Sequence, residues 1–352
     1  MRKGFALALT AMLLASCGGT KQQATGGDTS GVGKVDGALL TTGGDGSDWA
    51  MTGFNYKEQR FSPLTQINDS NVGQLGVAWY ADMPDARGQE ATPIIIDGKL
   101  FVTGPWSKVY AYDAVTGKQL WTYDPKVDPQ KGVQACCDVV NRGVAAWKGR
   151  LYLGTLDGRL IALDAKTGAA DWSVQTTDTS KPYTITGAPR VVKDMVLIGN
   201  GGAEFGVRGY VTAYDAATGA KKWRFYTVPN PAGAKDGEAS DAAMQKAAPT
   251  WSANGQWKQS GGGGTVWDSI VYDAELDQLY LGVGNGSPWN HGLRSEGQGD
   301  NLFLSSIVAL KPETGEYLWH YQETPAESWD FTATQPINLA TLKIDGKDRK
   351  VL

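Results

Sequence analysis

The sequence predicts an all-β chain of repeated four-stranded units, a β-propeller of which about the first half is present. Three observations carry that prediction. A pattern of Ala, any residue, Asp, two residues or so, Thr-Gly, three residues and Trp recurs along the chain. The 352 residues include 46 Gly, 13 Trp and 14 Tyr, a load that suits many short strands joined by tight turns. Self-similarity at a period of about 40 to 50 residues marks a repeat architecture, and a four-stranded unit at that period is a propeller blade.

The first seventeen residues read as an export address. Arg2 and Lys3 form a positive n-region, Phe5 to Ala15 a short apolar run, and Leu14-Ala15-Ser16-Cys17 fits a lipoprotein cleavage box. The run is too short to span a bilayer. An ordinary secretory signal cut elsewhere is the other reading, and both send the protein to a compartment where disulfides persist. Under the lipoprotein reading Cys17 becomes the acylated N-terminus and anchors the protein to a bacterial membrane from the periplasmic side. Residues 18–47, rich in Gly, Thr, Ser and Asp, read as a flexible tether. The propeller is expected from residue 48 to residue 352.

Val77-Ala78-Trp79-Tyr80 reads as a strand able to complete the last blade of a closed ring. The repeat follows in four copies: Ala111-Tyr112-Asp113 with Thr116-Gly117 and Trp121, Ala162-Leu163-Asp164 with Thr167-Gly168 and Trp172, Ala213-Tyr214-Asp215 with Thr218-Gly219 and Trp223, and Ala309-Leu310-Lys311 with Thr314-Gly315 and Trp319. The Thr-Gly pairs lie 51, 51 and 96 residues apart. Within a unit, Leu151 to Gly154 and Arg159 to Leu163 are successive strands, Asp-x-x-Thr-Gly is a tight turn whose Gly supplies a positive φ, and the Trp segment is the outer strand. The long interval holds one blade enlarged by a loop over residues 229–264. Residues 336–352 begin another hairpin, with Asp345-Gly346 as its turn.

Composition excludes some functions. A net charge of −4 offers no basic patch for nucleic acid. Only His291 and His320 are present, which argues against a zinc site. Beyond the signal the only cysteines are the neighbours Cys136 and Cys137. They are either two reduced thiols packing as small hydrophobes or a strained, flat, sulfur-rich ring on which a planar ligand could lie.

Several segments together resemble the pyrroloquinoline quinone (PQQ)-dependent alcohol dehydrogenases, the quinohaemoprotein branch above all. They are Gln59 to Leu64, Gln89 to Pro93, Cys136 to Gly143, Gly202 to Gly209, Gly261 to Asp268 and Ser328-Trp329-Asp330. The resemblance implies an eight-bladed propeller with PQQ and a metal ion on its axis. By position, a Cys136-Cys137 disulfide ring would cover one face of PQQ and Trp267 would stack on the other. Glu90, Arg142, Thr186, Gly202 and Ala203 would hold the edge and carboxylates of the quinone. Glu204 and Asn285 would ligate the metal, and Asp330 would be the catalytic base. Hard oxygen ligands suit Ca2+, and Thr332 stands where lanthanide-using relatives carry a second Asp. The implied activity is oxidation of a small alcohol, with a periplasmic cytochrome c or a membrane quinone accepting electrons. The resemblance also leaves room for haem c on a later domain. A propeller lipoprotein that scaffolds outer-membrane protein assembly would fit the lipobox and the Trp repeats equally well. It would not need Cys136, Cys137, Glu204, Asn285 or Asp330.

Overall fold

The computed structural model describes residues 31–352. The export signal, Cys17 and the first part of the expected tether lie outside the described residues. Four antiparallel four-stranded sheets follow one another along the chain. The first comprises β1 (Ile94–Ile96), β2 (Lys99–Thr103), β3 (Val109–Asp113) and β4 (Gln119–Tyr123). The second comprises β5 (Ala145–Trp147), β6 (Arg150–Gly154), β7 (Arg159–Asp164) and β8 (Ala170–Gln175). The third comprises β9 (Arg190–Val192), β10 (Met195–Gly199), β11 (Tyr210–Asp215) and β12 (Lys221–Tyr226). The fourth comprises β13 (Ile270–Asp273), β14 (Gln278–Gly282), β15 (Ser306–Leu310) and β16 (Tyr317–Gln322). In each sheet neighbouring strands are consecutive in the chain. The hairpin β17 (Ala340–Ile344) and β18 (Lys347–Val351) turns at Asp345-Gly346, as the sequence predicts.

The repeat has one structural meaning in all four copies. Its Ala pairs across the third and fourth strands with its Trp: Ala111 with Trp121, Ala162 with Trp172, Ala213 with Trp223 and Ala309 with Trp319. The register slips at the residue after each Ala, a bulge that increases the strand twist. The indole then locks onto the turn of the next sheet. Trp121 Nε1 donates to Ala165 O at 3.2 Å, Trp172 Nε1 to Ala216 O at 3.3 Å, and Trp223 Nε1 to Pro312 O at 2.9 Å. Trp79 does the same to Ala114 O at 3.0 Å. The turn itself is held by its Asp: in the first copy Asp113 Oδ1 accepts from the Thr116 backbone at 2.8 Å and from the Thr116 hydroxyl at 2.7 Å. In the fourth copy Lys311 pairs instead with Glu316 at 2.7 Å. A continuous apolar core runs through the four sheets, from Ile94 and Phe101 to Leu281 and Val308.

Three expectations need correction. Residues 31–42, expected to belong to a tether, are structured. Gly31–Lys34 forms a 3-10 turn and α1 (Gly37–Thr42) an α-helix capped by Asp36, because Val32, Val35 and Leu40 find apolar partners in the core. Residues 77–80 form no strand. Val77 and Tyr80 are exposed and Trp79 is docked, and among the described residues no strand pairs with this segment. The long interval between the last two motifs holds two insertions rather than one. The first, between β12 and β13, carries α2 (Asp241–Ala247) and α3 (Trp257–Ser260), and the second, between β14 and β15, carries α4 (His291–Ser295).

The topology decides where a site can form. Strands alternate in direction, so the connection entering a sheet's first strand and the connection between its second and third strands open at the same end. Every candidate site residue lies on one of these two kinds of connection, or just beyond β16 on the way to β17.

Candidate active site

A cleft with about 670 Å³ of free space opens at that end of the sheets. Its walls include Cys136, Cys137, Arg142, Thr186, Gly202, Glu204, Trp267, Asn285 and Asp330. These residues lie up to 194 positions apart in sequence (136 to 330). The structure thus brings together nine of the eleven predicted residues. Glu90 joins them through Arg142, whose Nη2 lies 2.7 Å from Glu90 Oε2. Ala203 does not line the cleft. Its side chain is buried in a short 3-10 turn, and its neighbours Gly202 and Glu204 face the free space.

Arg142 is held on three sides. Besides Glu90, it donates to Thr186 Oγ1 at 2.6 Å, and its guanidinium lies over Trp267, 4.8 Å from the ring centroid. A guanidinium fixed this way presents a planar donor edge suited to carboxylates. Trp267 owes its placement to Gly261, Gly262, Gly263 and Gly264, whose φ values of 81°, 82°, 75° and 69° put four successive residues in the left-handed region. A Cβ on Gly263 would stand 2.7 Å from Asn285 O, so this run threads between the segments at 207–209 and 285–287 only as glycine.

Glu204 and Asn285 meet across the cleft floor. Asn285 Nδ2 lies 3.4 Å from Glu204 Oε1, and Asn285 is buried while Glu204 is open to solvent. Together they offer one carboxylate and one amide oxygen. Among the described residues no three His, Cys, Asp or Glu side chains cluster as a metal site. A cation here would need further oxygens beyond these two side chains, from backbone, water or a bound ligand.

Asp330 sits on the loop after β16 with φ 64°, a conformation uncommon for a residue with a Cβ. Burial raises its carboxyl above the ordinary range, and the Glu204 and Glu327 carboxylates push it further the same way. A raised carboxyl holds a proton more tightly, which is what a base must do at the moment of transfer.

Cys136 and Cys137 are free thiols with their sulfurs 2.9 Å apart. No bond joins the two sulfurs in this structure. Burial, the Cys137 sulfur and the Glu204 carboxylate all push the Cys136 thiol up. Asp138, next in the chain and at φ 72°, anchors the pair. Its Oδ1 binds Arg87 and accepts from Val139 N, and its Oδ2 accepts from Gly88 N at 3.2 Å. The Arg87 guanidinium and these N–H groups bring its carboxyl down to about 2. Thr184, Gly201, Thr265 and Thr332 also line the cleft. Thr184, Gly201 and Thr265 carry no sequence signal of a site, being small or neutral residues in connections.

The fold and the cleft define a class: a β-propeller with a stacking and oxygen-donor site at one end of its blades. The chain matches the PQQ family described as glucose/ethanol/alcohol dehydrogenase, β-propeller domain, over residues 49–352, and it belongs to that family. It is 60% identical over 316 residues to the quinohemoprotein alcohol dehydrogenase ADH IIB of Pseudomonas putida, covering 90% of this chain and 45% of that protein. It is 57% identical over 317 residues to the dehydrogenase subunit of the alcohol dehydrogenase (quinone) of Gluconobacter oxydans, covering 88% and 42%. The crystal structure of the quinohemoprotein alcohol dehydrogenase from Comamonas testosteroni superposes with a TM-score of 0.87 at 54% identity, covering 91% and 48%. The chain spans about half the length of the curated relatives it matches.

Proposed function

We propose that this protein oxidises primary alcohols with PQQ and Ca2+ in the periplasm, with Asp330 as the general base. One observation carries the reading. A single cleft gathers a sulfur pair, an indole, a three-point-held Arg, a carboxylate-amide pair and a carboxyl of raised pKa. These are the parts a planar, polycarboxylate cofactor and a hard cation require. Trp267 and the Cys136-Cys137 pair would bound the ring faces, Arg142 and Thr186 would bind carboxylate edges, and Glu204 and Asn285 would ligate the cation. PQQ, when bound, supplies the acceptor for the hydride. Asp330 would take the hydroxyl proton of the alcohol as the C–H hydrogen leaves with both bonding electrons, so a proton and a hydride depart separately and the product is a carbonyl. Thr332, a neutral side chain on the cleft wall, adds no charge for a trivalent ion, which favours Ca2+. A periplasmic cytochrome c or a membrane quinone would accept the electrons, in keeping with the names of the relatives. Haem c on a further domain and anchoring through a lipidated Cys17 belong to the same proposal. A scaffold protein needs none of the cleft residues. The test is Asp330→Asn in the PQQ-loaded, full-length enzyme. Turnover should fall by about three or more orders of magnitude with PQQ retained. Normal turnover with bound PQQ would remove Asp330 from the mechanism.

A further inference from the structure

Beneath the cleft lies a polar cluster that the proposed chemistry does not use. The side chains of Arg294, on α4, and Glu327 are both fully buried. Their direct ion pair is long, with Nη1 and Oε1 3.4 Å apart. Their short bonds run elsewhere. Arg294 donates to Glu327 O at 2.6 Å, to Pro288 O and Trp289 O at 2.8 Å each, and to Asn301 Oδ1 at 2.9 Å. Glu327 accepts from Gly286 N at 2.8 Å through Oε1 and from Trp329 N at 3.2 Å through Oε2.

Those two N–H groups belong to the neighbours of site residues. Gly286 follows Asn285, and Trp329 precedes Asp330. One carboxylate therefore spans the segment that carries the cation ligand and the segment that carries the base. Ser328 reinforces the tie, because its Oγ accepts from His291 N at 2.9 Å. Burying a charge pair is costly, and a long ion pair repays little of that cost. The compensation here comes from backbone groups, so what the cluster secures is the position of those segments. Gly286 fits the same account: a Cβ there would stand 2.4 Å from Arg294 Nη1.

We propose that Glu327 is a positioning residue that holds Asn285 and Asp330 in register across the cleft, with Arg294 fixing Glu327 in turn. This rests on the roles given above to Asn285 and Asp330. Neither Glu327 nor Arg294 lines the cleft, so both act through their neighbours. A displacement of about 1 Å in such a register costs roughly 100-fold in rate.

The test uses the full-length holoenzyme and two readouts. Amide hydrogen exchange reports the Gly286 and Trp329 N–H groups directly, and turnover per bound PQQ reports the register. Glu327→Ala should speed exchange at both amides at least about tenfold while β14 stays protected, and lower turnover per PQQ about 10- to 100-fold. The alcohol KM should stay within about threefold, because the residue does not touch the substrate. Glu327→Gln keeps one acceptor of the two, so it should fall between wild type and Glu327→Ala on both readouts. Wild-type turnover per PQQ with unchanged exchange in Glu327→Gln, or exchange that accelerates evenly over the whole fourth sheet, would overturn the proposal. If Glu327→Ala does not fold, Glu327→Gln alone decides. If Asp330→Asn turns over normally, the assignment of the base fails, and local exchange at Gly286 and Trp329 still decides whether Glu327 ties the two segments.

Discussion

Gly168 should be intolerant of a single methyl group, and the reason is the indole of the preceding sheet. Gly168 has φ 75°, and a Cβ there would lie 2.6 Å from Trp121 Cε3 and 2.8 Å from Cδ2. Gly98 offers a control, with φ 69° and nothing within 4 Å of an added methyl. Both alanine variants bear the backbone cost of the left-handed region, about 1–2 kcal/mol. Gly168→Ala bears in addition an overpacking cost of about 1–3 kcal/mol, because the indole is pinned by its bond to Ala165 O and cannot retreat. Gly168→Ala should therefore lose about 2–5 kcal/mol and Gly98→Ala about 1–2 kcal/mol. Urea unfolding followed by far-UV circular dichroism measures both. A double-mutant cycle isolates the clash: in a Trp121→Ala background, Gly168→Ala should cost no more than Gly98→Ala does. Additive costs, within about 0.5 kcal/mol, would refute the idea that the indole-on-glycine contact joins neighbouring sheets.

Three further outcomes are expected. In protein exported to an oxidising compartment, Cys136 and Cys137 should form the neighbour disulfide; intact-mass analysis after alkylation without reductant should find neither labelled, and two labels would rule the ring out. Apo-enzyme reconstituted with PQQ should oxidise alcohols with Ca2+, and activity with La3+ but not with Ca2+ would overturn the assignment of the cation. Asp138 should titrate near 2 by carboxyl NMR, and Arg87→Ala should move it up toward 3.8, its ordinary value. Because the folded carboxyl is depressed, the stability it contributes is present above pH of about 4 and is lost as pH falls toward about 2. An unchanged Asp138 titration in Arg87→Ala would show that the N–H groups of Val139 and Gly88 alone set it.

The parts of this molecule that were legible in sequence are those that repeat. Ala162 and Trp172 sit at a fixed spacing because they pair across two strands, and Gly168 follows because the preceding indole must rest on it. A contact made in every blade leaves the same letters in every blade. Strand pairing with no partner leaves no such mark: Val77 to Tyr80 carry the right residues and the right Trp, and among the described residues no strand pairs with them, while β-structure needs a second backbone to bond. The helix at Gly37–Thr42 was hidden for a related reason. Its composition is that of a tether, and only the core apolar surface that receives Val35 and Leu40 makes it fold. The cleft residues were legible only as a set. Trp267, Glu204 or Asp330 singly reads as packing, a solvated loop residue or a turn cap. Their positions together match a family because one ligand would have to touch them all. Glu327 escaped because it would touch no ligand. Its partners are backbone N–H groups, which every residue but proline possesses, so the letters at 286 and 329 record nothing of the bond. Residues that act through the backbone of their neighbours are visible only once the chain is folded, and the Arg294–Glu327 cluster is of that kind.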